Sequence, residues 1–119
     1  MNKAFALIAG AAALACVSTV ASAASDGKNR KVVVQNLSSQ AIYNLYASPI
    51  TATNWEEDLL GQGTIPAGGG KTANIDNGTT ECMYDLKVVM ANGKAWEHRK
   101  VNVCAASKWV IGDTGESIQ

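Results

Sequence analysis

Cys82-Met83-Tyr84-Asp85-Leu86-Lys87-Val88-Val89-Met90-Ala91-Asn92-Gly93 is the stretch that decides the fold class. Cys82, Tyr84, Leu86, Val88 and Met90 occupy alternate positions with Asp85 and Lys87 between them, the two-residue period of a strand with one buried face. Asn92-Gly93 accepts positive φ at both positions and so predicts a hairpin, with residues 94–104 as the return strand. The register carries a conflict. A three-residue loop faces Cys82 with Cys104 but turns Val101 and Val103 away from Leu86 and Val88, whereas a two-residue loop repairs the faces and offsets the cysteines by one. A β-bulge in the return strand, around Glu97-His98-Arg99, would reconcile both demands.

Towards the N-terminus the same strand grammar continues. Lys31-Val32-Val33-Val34-Gln35-Asn36 is β-branched and apolar, residues 36–40 carry turn-forming Asn and Ser, and Ile42, Asn44 and Tyr46 alternate with Tyr43, Leu45 and Ala47. Together these two segments read as a first hairpin. Ser48-Pro49 ends it. Asn54 is suited to cap a helix, Glu56-Glu57-Asp58 favour the positive end of a helix dipole, and Gly61 is a suitable stop, so residues 54–61 are expected to form one short helical turn with Leu59 and Leu60 inward. A Pro- and Gly-rich connection over residues 63–70 leads to a short strand at Lys71-Thr72-Ala73-Asn74-Ile75, then a turn at Asp76-Asn77-Gly78. Lys108-Trp109-Val110-Ile111 reads as the last strand, and residues 113–119 as a polar tail. The fold class that follows is all-β: a small antiparallel β-sandwich or open barrel of about six strands, with one short helical turn and one disulfide, occupying residues 31–112.

The N-terminal end has a different character. Lys3 is the one charge ahead of an Ala-rich apolar run over residues 4–20, and Ala21-Ser22-Ala23 supplies the small side chains a signal peptidase accepts. Residues 1–23 therefore read as a secretion signal cleaved after Ala23, and residues 24–30 as a flexible leader. The run is short for a membrane span. Cys16 follows Leu14-Ala15, but Ala13 stands where a lipoprotein signal carries a large aliphatic residue. No Arg-Arg pair precedes the run, which favours the general secretory route to the periplasm or medium of a bacterium. Because Lys3 is the only charge in this segment, the mature domain keeps ten acidic residues and all but one of the ten basic ones. So even a balance provides no field for nucleic acid or an anionic membrane surface, and no stable membrane anchor remains after cleavage. Cys16 leaves with the signal, and Cys82 and Cys104 then form one disulfide in an oxidising compartment, stabilising the fold by about 3 kcal/mol on the chain-entropy estimate.

The chain contains few candidates for chemistry. His98 is the one histidine, no second imidazole or free thiol is at hand for zinc or copper, and no nucleophile elbow is present. Glu56-Glu57-Asp58 lacks the alternating ligands and central Gly of a calcium loop, and Gly68-Gly69-Gly70-Lys71-Thr72 lacks the spacing and the following helix of a phosphate loop. No metal, cofactor or catalytic residue is assigned. The remaining candidates are aromatic: Trp55 or Trp96, beside Asp58, would make a binding face for a sugar, a peptide or a partner protein if exposed.

Val34-Gln35-Asn36, Ile42-Tyr43-Asn44-Leu45-Tyr46-Ala47-Ser48-Pro49, Trp55-Glu56-Glu57-Asp58-Leu59-Leu60-Gly61, Cys82-Met83-Tyr84-Asp85 and Asn102-Val103-Cys104 resemble, in that order, a group of small secreted bacterial proteins with the pattern Ile-Tyr-x-Leu-Tyr-x-Ser-Pro, Trp-x-x-Asp-Leu-Leu-Gly, Cys-x-Tyr-Asp and Asn-x-Cys. The resemblance implies a shared β-rich fold and a disulfide, and carries over no substrate or cofactor. It singles out Trp55, Asp58 and Gly61, with Trp55 closing one end of the sandwich and Asp58 bonding to backbone amides. Three functions follow as expectations. The first is a non-enzymatic binding or interaction domain for a protein or small-molecule ligand, using residues 48–61. The second is a small hydrolase or metal-dependent enzyme using Asp58, Asp76, Asp85, Glu97 or His98, which requires at least two of these to converge in one pocket. The third is a periplasmic inhibitor or immunity protein. The exported protein is expected to begin at Ala24, as read by intact mass and N-terminal sequencing; a lipid-bearing chain beginning at Cys16 would mean lipoprotein processing instead.

Overall fold

In the computed structural model, which describes residues 26–119, the alternating segments become seven strands: β1 Lys31–Asn36, β2 Ile42–Pro49, β3 Gly70–Asn74, β4 Met83–Met90, β5 Ala95–Asn102, β6 Lys108–Ile111 and β7 Glu116–Ile118. The signal assigned to residues 1–23, Cys16 included, lies outside the described residues. Residues 28–75 with 81–119 form one unit, while residues 76–80 are a turn in which Asp76 and Asn77 accept the backbone N–H groups of Gly78 and Thr79. Within the unit the strands form two sheets, ordered β3-β1-β6-β7 and β2-β4-β5. Every pairing is antiparallel except β1 with β6.

One cluster of buried side chains lies between the sheets. Val32 and Val34 of β1, Ala73 of β3, and Trp109 and Ile111 of β6 come from one sheet; Leu45, Tyr84, Leu86, Val88 and Val101 come from the other. Period-2 burial along β1 and β4 is what places them there. The Cys82–Cys104 disulfide, with its Cα atoms 5.4 Å apart, ties the start of β4 to the end of β5.

The expected bulge exists and sits at Arg99-Lys100. Met90 and Lys94 close a loop over residues 91–93, with Gly93 at φ +88°. Leu86 faces His98 whereas Tyr84 faces Val101, so Asp85 opposes both Arg99 and Lys100. Lys100 is in the left-handed region at φ +57°, and its N–H is caught by Asp85 Oδ1 at 2.9 Å. The extra residue returns Val101 to the face of Tyr84 and leaves Val103, rather than Cys104, bonded opposite Cys82.

The first hairpin does not form. β1 and β2 belong to different sheets, and residues 37–41 carry the chain across the sandwich. Asn36 makes this crossing. Its fully buried amide donates to the carbonyls of Gln40, Ile65 and Pro66 at 2.7, 3.1 and 3.2 Å, and its Oδ1 accepts from the N–H and hydroxyl of Ser38. A turn held by those bonds separates the strands instead of pairing them.

The polar tail is likewise structured. Residues 116–118 are β7, paired with β6, and Asp113 Oδ1 accepts both the N–H and the hydroxyl of Ser39 at 2.8 Å. Glu116 Oε1 accepts the indole N–H of the fully buried Trp109 at 2.6 Å and stands 2.7 Å from Nδ1 of His98. A carboxylate oxygen accepts, so this bond requires the His98 proton on Nδ1. The expected leader ends in Arg30, which is 1% exposed and donates from Nε to the carbonyl of Glu81 at 2.7 Å.

Asn36→Asp keeps the shape of the side chain but replaces its donor with an acceptor facing three carbonyls. Urea unfolding is expected to show a loss of roughly 3 kcal/mol or more, since the new carboxylate oxygen is buried with no donor and set against carbonyl oxygens.

Candidate functional site

Cross-strand pairing decides which aromatic side chains can share a surface, because directly opposed residues lie on one face of a sheet. Leu45, Val88 and Trp96 form one row and face the core; Tyr46, Lys87 and Glu97 form the next and face away from it. Trp96 is therefore partly buried against the core, with Lys94 Nζ 4.3 Å from its ring centre. It does not join Trp55. Of the two tryptophans considered for a binding face, Trp55 and Trp96 thus lie on opposite sides of the β2-β4-β5 sheet.

Trp55 lies over the outward face of the β2-β4-β5 sheet. Its ring is 6.3 Å from that of Tyr46, with the Lys87 ammonium at 5.6 Å and the Arg99 guanidinium at 5.1 Å from its centre. Cations over an indole face are attracted by its quadrupole. Arg99 is held in turn by Asp85 Oδ2 at 3.1 Å and Glu97 Oε1 at 2.6 Å, and these hydrogen bonds, Asp85 first, raise its pKa. Ser48, Ala52, Thr53, Asn54, Trp55, Asp85 and Arg99 line a cavity of ≈ 130 Å³.

The segment carrying Trp55 contains no helix. Two of its backbone donors bond across to β2: Leu59 N–H donates to Leu45 O at 2.7 Å, and Glu56 N–H to Ser48 Oγ at 2.8 Å. Asp58 Oδ1 accepts from the backbone N–H groups of Leu45 and Leu60, both at 2.9 Å, and Oδ2 accepts from the Asn44 amide at 2.8 Å. Desolvation pushes the Asp58 carboxyl up, but the bonds from Leu45, Asn44 and Leu60 together outweigh it and hold the pKa below its ordinary 3.8. Asp58 is thus the clamp that fastens the Trp55 segment to β2.

Of the acids considered for hydrolysis, Asp85 and Glu97 come together, on the Arg99 guanidinium. Asp58 is engaged with β2, His98 is paired with Glu116 near the core, and Asp76 belongs to the turn 76–80. Among the described residues no group of three or more His, Cys, Asp or Glu side chains is placed to hold a metal ion. Sequence reasoning included Ser48 within residues 48–61 but missed Lys87 and Arg99 as members of the site. The signal for Lys87 was present, since it alternates with core residues of β4; Arg99 is aimed by the bulge and had none.

The chain matches no known family profile, no curated protein and no solved structure at a significant level.

Replacing Asp58 by Asn retains an acceptor but removes the charge and sets one amide against that of Asn44. Because the folded-state pKa is depressed, the charge contributes stability above the unfolded value near 3.8 and loses it as pH falls through the folded value. Urea unfolding at neutral pH is expected to show a deficit of about 1.5 kcal/mol for Asp58→Asn. The deficit should narrow below pH 3.8.

Proposed function

We propose that this protein is a secreted or periplasmic, non-enzymatic binding domain whose contact surface is the segment over residues 48–61 together with the sheet face beneath it. The observation that carries this reading is Trp55, a partly exposed indole on the edge of a cavity and not in the core, held in place by Asp58 and two cations. A large aromatic ring fixed at the surface by the structure around it has the properties of an interface anchor. Export rests on Lys3, the apolar run and Ala21-Ser22-Ala23, and the disulfide is compatible with an oxidising compartment. The likeness to small secreted bacterial proteins points the same way. An enzymatic reading has less support, because Asp58, Asp85 and Glu97 are each already committed to a structural bond.

The test is a set of matched affinity columns bearing the parent protein, Trp55→Ala and Trp96→Phe, challenged with native envelope extract and culture fluid. The expected result is a component, protein or glycan by mass spectrometry, retained by the parent and by Trp96→Phe and lost on Trp55→Ala. Retention of a single enzyme or toxin at near-equal amount would specify an inhibitor or immunity protein. A component held equally by all three columns, or none at all, would remove the binding reading.

A further inference from the structure

We propose that the cavity beside Trp55 is a subsite for one neutral, hydroxyl-rich ring the size of a single sugar residue. This inference rests on the binding reading above and names its ligand class.

Size limits the occupant first. At ≈ 130 Å³ the cavity is well below the roughly 300 Å³ at which pockets for drug-sized molecules begin, so it admits one ring and not a larger compound. Polar chemistry limits it next. Ser48 is 4% exposed; its Oγ accepts the Glu56 N–H, and its own hydroxyl proton has no acceptor among the described residues. Thr53, Asn54 and Trp55 also line the cavity, and the Thr53 hydroxyl, the Asn54 amide and the Trp55 indole N–H make no side-chain hydrogen bond among the described residues. The wall thus presents two hydroxyls and an amide, which donate and accept, beside an indole that donates. Hydroxyl groups, which do both, complement such a set.

Charge excludes the other small ligands. Arg99 is the only cation lining the cavity, and it is bonded to Asp85 and Glu97. An incoming carboxylate or phosphate would lie beside those two acids, and an incoming ammonium would meet Arg99 and Lys87. Strand addition is closed as well. On the edge of β2 nearest the site, Leu45 O is taken by Leu59 N–H, and both Ile42 N–H and Ile42 O are taken by Ile65. A peptide has no free backbone ladder to join there.

The experiment is a titration of the purified, disulfide-bonded protein with D-glucose, D-galactose and N-acetylglucosamine, read by the three indole N–H signals in a nitrogen-15 NMR spectrum. Sodium acetate and ethylammonium chloride are the charged comparators. The expected result is a saturable shift of the Trp55 signal with at least one sugar, with a Kd on the order of 1 mM for so small a ligand. Trp96 and Trp109 should stay fixed. Trp55→Ala should abolish saturation in the backbone spectrum, and Asn54→Ala, an exposed position whose loss does not threaten the fold, should weaken it about threefold or more. The proposal is overturned if no sugar saturates, if acetate or ethylammonium moves Trp55 as strongly, or if both variants bind like the parent. Failure here with a Trp55-dependent component on the columns removes the sugar and leaves the binding domain; failure of both removes both.

Discussion

The buried amide of Asn36 is the constraint on which the two-sheet arrangement depends. It lies at the end of β1, where the chain must leave one sheet and enter the other, and it adds a donor to three carbonyls, those of Gln40, Ile65 and Pro66, which also accept from the Ser38 hydroxyl, Ile42 N–H and Gly69 N–H. Those carbonyls belong to two stretches far apart in sequence, Gln40 on one side and Ile65-Pro66 on the other. One side chain therefore sets both the exit of β1 and the path by which the later connection passes it. Gly68 N–H bonds to Asn36 O and Asn36 N–H to Gly69 O, so the backbone of the same residue starts the β1–β3 pairing. An apolar replacement would take the acceptor from Ser38 N–H and one bond from each of the three carbonyls, which is why a polar residue is tolerated at zero exposure.

A second polar clamp, Asp58, does for the surface what Asn36 does for the interior. By bonding Leu45 and Leu60 it fixes an irregular segment to β2, and that segment carries Trp55 over Lys87 and Arg99. The bulge belongs to the same construction. Asp85 catches the N–H of Lys100 with one oxygen and Arg99 with the other, so the residue that corrects the strand register also positions the guanidinium under the indole. Register, loop and site are linked through two carboxylates, neither of which is free for other chemistry.

Much of this was legible in sequence where a signal is local. The alternation from Cys82 to Met90, the Asn92-Gly93 turn, the paired cysteines and the need for a bulge all follow from period and parity, and they recur in the structure. The errors share one cause. Asn36-Leu37-Ser38 has the same turn chemistry whether the strands beside it pair or part, and only the distant carbonyls of Ile65 and Pro66 decide. Asn54 through Gly61 carries the caps of a helix, but Leu45 and Ser48 compete for its donors and acceptors from another strand. Glu116-Ser117-Ile118 is too short and polar to declare itself a strand; contacts from Trp109, His98 and β6 make it one. Trp55 and Trp96 look equivalent as isolated aromatics, and the pairing of Trp96 with Val88 puts them on different sides of a sheet.

The parallel contact between β1 and β6 has a further consequence in time. β1 is an inner strand of its sheet, held by β3 on one side and by β6 on the other, and β6 brings Ile111 opposite Asn36 from far along the chain. Pairings between such distant segments close late, after the loop entropy between them has been overcome. β1 is made first of the seven strands, yet its final locking waits for β6, which is made after β5.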